Sequence, residues 1–210
     1  MCGRYSITKV VKKTKNIVQN NEGVVDSDNY NAYPTQHLPI VKKDEDSLTL
    51  TIYHWGLVPK WSEKMTDFRP LNNARLETLM EKRTFSGLIK SQRCLVPADG
   101  YYEWRKNEEG KKFPYFLKRE HNETLFFAGL YQKNNNLEFS IITTAAKGKI
   151  LDIHHRMPII LKEEEIKNYL YSKDPMTFLN NHQNPEIVFY EVGRDVNNPS
   201  NNHIGLLDPA

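Results

Sequence analysis

With 210 residues, of which 39% are hydrophobic and 26% charged, the chain has the length and composition of one globular domain, residues 2–210, and is short for two. Its two cysteines, Cys2 and Cys94, exclude a disulfide framework and a thiolate zinc site, and since no run of about 18 apolar residues occurs, a membrane-spanning helix is excluded too. The net charge of +3, from 29 basic and 26 acidic residues, permits nucleic acid as a partner without requiring it. Since the chain start MCGRYSITK has no apolar signal-peptide region, we expect a cytosolic protein with free thiols, and we expect it to be monomeric.

Alternating apolar and polar residues predict strands through most of the chain. Residues 5–11 and 48–55 show this alternation, and residues 94–104 (CLVPADGYYEW) predict a strand, a turn and a second strand. Three further strand patterns, FPYFLKR, TLFFAGLYQ and LEFSIITTAA, continue through residue 146. Hairpin loops between strands are predicted from the polar runs at 107–112 and 134–136.

Helical patterns are fewer. Residues 73–90 have apolar positions near helical spacing, 162–171 begin with acidic residues as a first helical turn prefers, and 174–181 have a proline at an early position. Residues 195–210 read as a loop-like tail. The order of strands, one helix, many strands and short helices argues against a parallel βαβ sheet. It predicts an α+β domain with a β-barrel-like, mostly antiparallel core and a few peripheral helices.

Cys2 becomes an unusual nucleophile if Met1 is removed. The new terminus then has an α-amine, with an ordinary pKa of about 7.7–8.0, next to a thiol with an ordinary pKa of about 8.5, so both are partly reactive near neutrality. The amine attacks an aldehyde to give a Schiff base, which the thiol closes to a thiazolidine; the same pair can attack an amide. By position alone Cys2 is better explained as part of a frayed terminus. Its neighbours Gly3, which permits close approach, and Arg4, which can hold an anion, favour a functional role.

Two internal segments contain further candidates. Asn73 is interpreted either as a helix cap, the better reading without context, or as a hydrogen-bond partner of a reacting oxygen, with Arg75 neutralising a phosphate. Glu103 lies between aromatic residues, where burial would raise its pKa and suit it to transfer protons; the alternative is a solvent-facing glutamate on an edge strand. Cys94, followed by Leu-Val-Pro, is expected to be a buried hydrophobic residue.

The adjacent histidines His154 and His155 raise the question of a metal. Neighbours on a strand point in opposite directions, and no third ligand has a matching spacing, so no metal site is expected. One histidine acting as acid or base, with Arg156 on a phosphate, explains the segment more simply.

Together these segments resemble the SRAP family, the abasic-site processing proteins also described as SOS-response-associated peptidases. Each motif alone is weak, but six matches in order between residues 2 and 158 are highly specific. The matching motifs are MCGR at 1–4, NAYPT at 31–35, WGLVP at 55–59 followed by Trp61, NARLET at 73–78, RCLVPADGYYEW at 93–104 and HHRMP at 154–158.

The resemblance implies roles for four catalytic residues and no cofactor. Cys2 would form a thiazolidine with the ring-opened abasic sugar, and Glu103 would transfer protons as the imine and ring form and reverse. His154 would act as acid or base on the sugar hydroxyl or in strand cleavage by β-elimination, with His155 as the alternative. Asn73 would orient Cys2 or the sugar oxygen. The implied fold is a single α+β domain with a β-barrel-like centre.

The resemblance also implies a single-stranded DNA partner containing abasic sites. An abasic site offers a latent aldehyde, and a single strand has no partner base to displace. Binding must then rest on phosphate contacts and base stacking. Of the two tryptophans in the third motif, Trp61 is expected to be more exposed than Trp55. The expected DNA-binding residues are Arg4, Asn31, Pro34, Trp61, Arg75 and Arg156.

Three functions remain open at this point. The first is covalent capture of abasic sites, with lyase and crosslink-reversal activity, in the SOS response to DNA damage at the nucleoid. The second is an N-terminal-cysteine peptidase or amidohydrolase, including removal of its own Met1. The third is a non-catalytic single-stranded DNA-binding module, for which Cys2 would be incidental.

Overall fold

The structure, a computed structural model, describes residues 2–62, 65–133 and 136–210 and contains two sheets with short helices around them. Helices are α1 (Val10–Thr14), α2 (Arg83–Ser86), α3 (Leu88–Ser91), α4 (Ile166–Tyr171) and α5 (Pro175–Asn181). Strands are β1 (Tyr5–Ile7), β2 (Asn20–Asn21), β3 (Asn29–Ala32), β4 (His37–Asp44), β5 (Ser47–Trp55), β6 (Asn73–Arg75), β7 (Arg93–Ala98), β8 (Gly100–Lys106), β9 (Lys112–Lys118), β10 (Leu125–Lys133), β11 (Leu137–Ala145), β12 (Arg156–Pro158), β13 (Ile160–Leu161) and β14 (Val188–Glu191).

The larger sheet follows the order β12-β11-β10-β7-β4-β5-β2. β11 also pairs with β5 in parallel, at Glu138 opposite His54 and Phe139 opposite Trp55, which brings the sheet back toward itself. The result is barrel-like without being a closed barrel. This confirms the predicted α+β class and the barrel-like, mostly antiparallel core.

The smaller sheet has the order β14-β9-β8-β1-β3 and is joined to the larger one by the step from β7 to β8. The backbone N–H of Asp99, the residue between these strands, donates to Ser6 on β1. Gly100 begins β8, and a Cβ there would lie 2.6 Å from the backbone oxygen of Leu117. Only glycine allows β8 and β9 to approach this closely, and that approach positions the residues that follow on β8.

Most strand predictions are confirmed. Residues 48–55 lie in β5, and the segment 94–104 forms β7, a turn and β8. The patterns that follow form β9, β10 and β11, with β8 and β9 antiparallel across the predicted loop. β10 and β11 are also antiparallel, while residues 134 and 135 of their predicted loop lie outside the described residues.

Two element predictions are wrong. Residues 73–90 do not form one helix, because Asn73–Arg75 pair in parallel with β11, a 3₁₀ turn follows, and only the short α2 and α3 are helical. Pairing with the backbone of the neighbouring strand β11 is more favourable here than a helix whose apolar periodicity is weak. Residues 5–11 do not continue as a strand, because Lys9 takes a left-handed conformation with φ of 48° and α1 begins after it.

The predicted C-terminal helices are present. Residues 162–171 form a 3₁₀ turn and α4, and 174–181 form α5, whose first turn is capped by the Asp174 side chain accepting from the backbone N–H of Thr177. Among the described residues, no helix is long and apolar enough to cross a membrane.

Arg93 joins the helices to the larger sheet. From β7, its Nη1 donates to the carbonyl oxygens of Ile89 and Lys90, and its Nη2 donates to those of Leu170 and Ser172, at 2.7 to 2.9 Å. These carbonyls lie at the carboxyl ends of α3 and α4, which helical hydrogen bonds leave unpaired. One buried cation therefore satisfies the ends of two helices.

The C-terminal residues pack over the smaller sheet. Val196 and Leu206 are buried in a second cluster with Tyr102 and Phe116. The helical structure of this segment is limited to two short 3₁₀ turns, at Arg194–Asn197 and Ile204–Leu207. It therefore covers the outer face of the sheet whose inner face contributes to the site described next.

Candidate active site

Cys2 lies just ahead of β1, a central strand of the smaller sheet between β8 and β3. β1 is antiparallel to β8, and the pairing continues toward the start of the chain, where the backbone N–H of Tyr102 donates to the oxygen of Arg4 at 2.9 Å. The residues before Arg4 therefore run alongside the part of β8 that contains Glu103. Cys2 is fully buried there, so a frayed terminus is not what the structure shows.

Glu103 faces the interior of the protein. Successive side chains of a strand point to opposite faces, so Glu103 shares a face with Tyr101, while Tyr102 lies on the other face with Phe116 and Val196. Glu103 is 3% exposed. The alternative of a solvent-facing glutamate on an edge strand is therefore wrong, because β8 is paired on both sides.

Burial controls the protonation of both groups. The pKa of the Cys2 thiol is raised far above its usual value by desolvation and by the negative charge of Glu103, and the backbone N–H of Arg4 acts in the opposite direction. Desolvation also raises the pKa of the Glu103 carboxyl. For Cys2 preceded by Met1, burial therefore favours the protonated thiol, with the Glu103 carboxyl group nearby to accept its proton, and the partial ionisation expected after Met1 removal stays a prediction.

His154 lies just ahead of β12 and is neutral at physiological pH. Its Nδ1 accepts the backbone N–H of Arg156 at 3.0 Å, which leaves the ring proton of the neutral form on Nε2. Burial, with the positive charges of His155 and Arg156 acting in the same sense, lowers its pKa to about 4. His155 stacks on it with ring centroids 4.3 Å apart but is exposed. His154 therefore has the more specific environment of the pair.

Asn73 occupies the first position of β6 and is not a helix cap. It pairs with Ile141 of β11, and the backbone oxygen of the preceding Asn72 accepts the indole N–H of the buried Trp55 at 2.9 Å. The Asn73 Oδ1 is buried and has no hydrogen-bond partner among the described residues. Such a group is available to a bound reactant, which keeps the predicted orienting role open.

Arg156 is buried and paired with the carboxylate of Glu77, which is itself exposed. Its guanidinium forms two parallel contacts to Glu77, of 2.8 and 2.9 Å, and donates to the backbone oxygen of Thr143 at 2.8 Å. The side chain is 9% exposed. A direct contact between Arg156 and phosphate does not fit this arrangement, because the bidentate pair occupies the guanidinium. Glu77 was not predicted, although the NARLET and HHRMP motifs contain both charges.

Arg4 and Asn31 form a second internal network. Nη1 of Arg4 donates to Asn31 Oδ1 at 2.7 Å and to the backbone oxygen of Val196 at 2.9 Å. The guanidinium lies between the rings of Tyr33 and Trp104, 5.7 and 5.9 Å from their centroids. Asn31 is 1% exposed, and its amide also donates to backbone oxygens of the C-terminal segment. Asn31 therefore positions Arg4 and the C-terminal segment and does not present its amide to DNA.

Trp61, Arg75 and Pro34 are accessible. Trp61 is 62% exposed and packs edge-on against Phe68 at a centroid distance of 5.5 Å, whereas Trp55 is fully buried. The prediction that Trp61 is the more exposed tryptophan is confirmed. Arg75 is exposed at the end of β6, and Pro34 is partly exposed.

Two buried polar residues, Gln132 and Glu138, hold the backbone of Val58, three residues before Trp61. The Glu138 carboxylate accepts the backbone N–H of Val58 at 2.8 Å, and the Gln132 amide donates to the Val58 oxygen at 2.7 Å and to Glu138 at 2.5 Å. No motif singled out these two residues. In the sequence they are visible only as one polar residue on each strand of the β10–β11 hairpin. Such residues indicate a structural role only once the fold shows that both are buried.

The described residues contain no group of three or more His, Cys, Asp or Glu side chains that could hold a metal ion, and Cys2 and Cys94 are both free. A cavity of about 530 Å³ lies between the end of β11 and α5, with Ile150, Met157 and Leu179 in its walls. None of the predicted catalytic side chains lines it. The cavity is therefore separate from the Cys2 site.

Comparison with known proteins extends the similarity beyond these motifs. The model of a family described as SOS response associated peptidase (SRAP) matches residues 1–199. The chain is 35% identical over 190 residues to the abasic site processing protein YoqW of Bacillus subtilis, covering 85% of each. It is 30% identical over 230 residues to the abasic site processing protein HMCES of Rattus norvegicus, covering 86% of this chain and 65% of that protein. The crystal structure of a protein from Bacteroides thetaiotaomicron matches all of both chains with a TM-score of 0.84 at 26% identity.

Proposed function

Because this chain belongs to the SOS response associated peptidase (SRAP) family, we propose that it captures abasic sites in single-stranded DNA as a covalent thiazolidine at Cys2. The relatives named as abasic site processing proteins support the general activity. The observation that carries the finer proposal is the burial of the Cys2 thiol beside the buried carboxyl of Glu103. Ring closure on an imine requires a thiol and a group that accepts its proton, and Cys2 and Glu103 supply these two groups.

The chemistry begins with the amine of Cys2. While Met1 is present this nitrogen is part of a peptide bond, so the proposal requires its removal. The free amine adds to the aldehyde carbon of the ring-opened abasic sugar, and loss of water gives an iminium ion. The thiol then transfers its proton to Glu103, and the sulfur adds to the same carbon while the C=N electron pair returns to nitrogen.

Two further side chains support these steps. His154 is neutral with its proton on Nε2, so it can donate to a sugar oxygen and accept the proton back. The same exchange at a neighbouring carbon would support β-elimination and strand cleavage. Asn73 offers a buried Oδ1 that can orient the Cys2 amine or a sugar hydroxyl.

The DNA surface is proposed to include Trp61, Arg75, Pro34 and Arg4, whose guanidinium is held by Asn31 and by the backbone oxygen of Val196. Trp61 offers an exposed face to a neighbouring base, and Arg75 offers a charge to a phosphate. Arg156 would support this surface through Glu77 and not through its own phosphate contact. In this arrangement the lesion binds through its flanking nucleotides, since it has no base of its own.

We expect Trp61→Ala to weaken binding of single-stranded DNA about 5- to 150-fold, because stacking on an aromatic side chain contributes about 1–3 kcal/mol per base. Fluorescence anisotropy with a labelled oligonucleotide measures this. The matched control is Tyr171→Ala, which removes a partly exposed aromatic ring from α4. Equal affinities of the Trp61 variant and the parent protein would remove Trp61 from the DNA surface.

The proposal is tested by incubating protein whose intact mass shows loss of Met1 with a single-stranded oligonucleotide containing one abasic site. A heat-stable adduct on a denaturing gel is expected, and Cys2→Ala should abolish it. Cys94→Ala removes the other buried thiol and should leave the adduct unchanged. No adduct from correctly processed protein, or the same adduct from Cys2→Ala, would refute covalent capture at Cys2.

The family description also names a peptidase, which favours amide attack by the same Cys2 as the second candidate function. Self-removal of Met1 is the minimal form of this activity. Intact-mass measurements on purified precursor over time separate removal by the protein itself from removal by a host aminopeptidase. A non-catalytic single-stranded DNA-binding module predicts instead that Cys2→Ala leaves DNA binding intact, because binding would rest on arginines and aromatic residues.

A further inference from the structure

Two tyrosines face each other beside Cys2. Tyr5 on β1 pairs directly with Tyr101 on β8, and cross-strand partners lie on the same face of a sheet. Both are fully buried, and both rings lie edge-on to Phe127, at centroid distances of 6.0 and 5.9 Å. Glu103 follows two positions after Tyr101 on the same strand. The inner face at this point therefore combines two phenols, a carboxyl group and the Cys2 thiol.

Neither phenol has a structural use for its hydroxyl. The hydroxyl oxygens of Tyr5 and Tyr101 are buried and have no hydrogen-bond partner among the described residues. Tyr169, an equally buried tyrosine, instead donates to the backbone oxygen of Gly129 at 2.8 Å. A buried polar group without a partner is unfavourable compared with phenylalanine, so two of them facing each other require an explanation.

Cys2 belongs to the same buried cluster as both tyrosines, and a charge at its sulfur acts on both hydroxyls, although neither hydroxyl is hydrogen-bonded to that sulfur while Met1 is still attached. Desolvation raises the pKa of each tyrosine well above its usual value, and a negative charge on Cys2 raises it further. The charge of Glu103 adds to the effect on Tyr101. Both phenols therefore remain protonated at physiological pH and can donate hydrogen bonds to an anion.

The proposed reaction creates an anion at this place. The buried thiol must lose its proton before the sulfur adds to the iminium carbon, and the apolar surroundings oppose that loss. Among the groups described so far, the backbone N–H of Arg4 favours the thiolate. Further donors that point at the sulfur would lower the barrier, as donors do at other developing anions.

We propose that the hydroxyls of Tyr5 and Tyr101 donate hydrogen bonds to the Cys2 sulfur during ring closure and so stabilise the thiolate. This inference rests on the proposed capture of abasic sites and assigns its second chemical step. The S–H bond breaks as its proton passes to Glu103, and the C–S bond forms as the C=N electron pair returns to nitrogen. The phenols keep their protons throughout, so no additional reactant is needed.

The test separates the two steps with borohydride. Sodium borohydride reduces the imine to a stable amine adduct, whereas the thiazolidine forms without reductant. For Tyr101→Phe and Tyr5→Phe we expect the reductant-free adduct to form about 10- to 100-fold more slowly, a smaller loss than the removal of one oxyanion-hole donor causes, because sulfur is the weaker acceptor. Borohydride trapping of the imine should proceed at the parental rate.

A second readout is the pH dependence of the reductant-free rate. Loss of a donor leaves the thiolate less stable, so the rate of each variant should rise only at higher pH than that of the parent. Tyr169→Phe is the matched control, because it removes a hydroxyl that bonds to the backbone; it should melt at a lower temperature and crosslink at the parental rate. The Tyr5 and Tyr101 variants should melt no lower than the parent, since their hydroxyls have no partner to lose.

Parental crosslinking rates in the Tyr5→Phe and Tyr101→Phe double variant would overturn the inference. Equal losses of trapped imine and thiazolidine would overturn it as well, because the tyrosines would then act on the amine step. A parent protein that gives neither adduct refutes the proposed function and this inference with it. A slow thiazolidine step with normal imine trapping supports both.

Discussion

Replacing Glu103 by Gln is expected to slow thiazolidine formation by about 100- to 10,000-fold, the usual range for removing a positioned acid–base group. Glu103 and Cys2 are both buried, and the negative charge of Glu103 acts on the Cys2 thiol. Glutamine keeps the shape but cannot accept the thiol proton. Single-turnover crosslinking at saturating DNA measures the effect, with Glu191→Gln on the outer strand β14 as a carboxylate control.

The same role of Glu103 predicts how the rate of thiazolidine formation depends on pH. A carboxyl group accepts a proton only when ionised, so the parental rate should fall as pH falls through the raised pKa of Glu103. That decrease should occur above the ordinary carboxylate range and be absent from Glu103→Gln. A Gln variant with the parental rate and the same pH profile would exclude Glu103 from proton transfer.

The variant should also fold. A carboxyl group whose pKa is raised by folding stabilises the protein below its unfolded pKa, and this contribution is lost as pH rises through the folded pKa. At neutral pH the burial of charged Glu103 is therefore unfavourable, and Glu103→Gln should melt at or above the parental temperature. A lower melting temperature would instead indicate that the carboxylate has a structural role.

Arg93→Met is expected to lower the free energy of unfolding by about 3–5 kcal/mol, as removal of one partner from a buried charged network does. The methionine fills part of the volume but leaves the four carbonyl oxygens at the ends of α3 and α4 without a donor. For a chain of this size each kcal/mol corresponds to about 2–4 °C, so the melting temperature should fall by roughly 10 °C.

Two further variants sharpen the Arg93 experiment. Arg93→Lys keeps the charge but offers one nitrogen in place of the planar fork that reaches two helices, so we expect an intermediate loss. Arg105→Met removes an exposed arginine from β8 and should change the melting temperature little. An Arg93→Met variant as stable as Arg105→Met would show that water or local rearrangement satisfies those carbonyls.

Much of the fold was predictable where local pattern and tertiary context agree. β5 and the series from β7 to β11 follow the period of two that pleated strands impose, and α5 follows its aspartate cap and early proline. The segment 73–90 was not predictable, because β6 exists only through its pairing with β11, more than sixty residues away. Its helical periodicity is real but too weak to compete with that pairing.

The candidate site divides in the same way. Cys2, Glu103 and His154 were proposed as catalytic residues from residue chemistry and motif order, and that assignment stays a prediction, whereas the expected exposure of Trp61 is confirmed. The sequence did not predict a role for Glu77, for Glu138 or for the phenols of Tyr5 and Tyr101. The two carboxylates matter because of the groups that they contact in the folded protein, and the two phenols because they have no hydrogen-bond partner among the described residues. The charge of Arg156 suggested a phosphate contact, but in the structure its guanidinium is paired with Glu77.

The amino-acid sequence by itself determined the reactive groups, the strand-rich composition and the family of this protein, because these depend on side-chain chemistry and on short-range order along the chain. Only the tertiary structure decided which charges are paired within the protein, which hydroxyls are left without a partner and in which direction burial shifts the pKa of the Cys2 thiol. Those properties depend on desolvation and on distances between residues far apart in sequence. The Cys2 thiol is the clearest case: its identity is local, but its raised pKa comes from the protein around it.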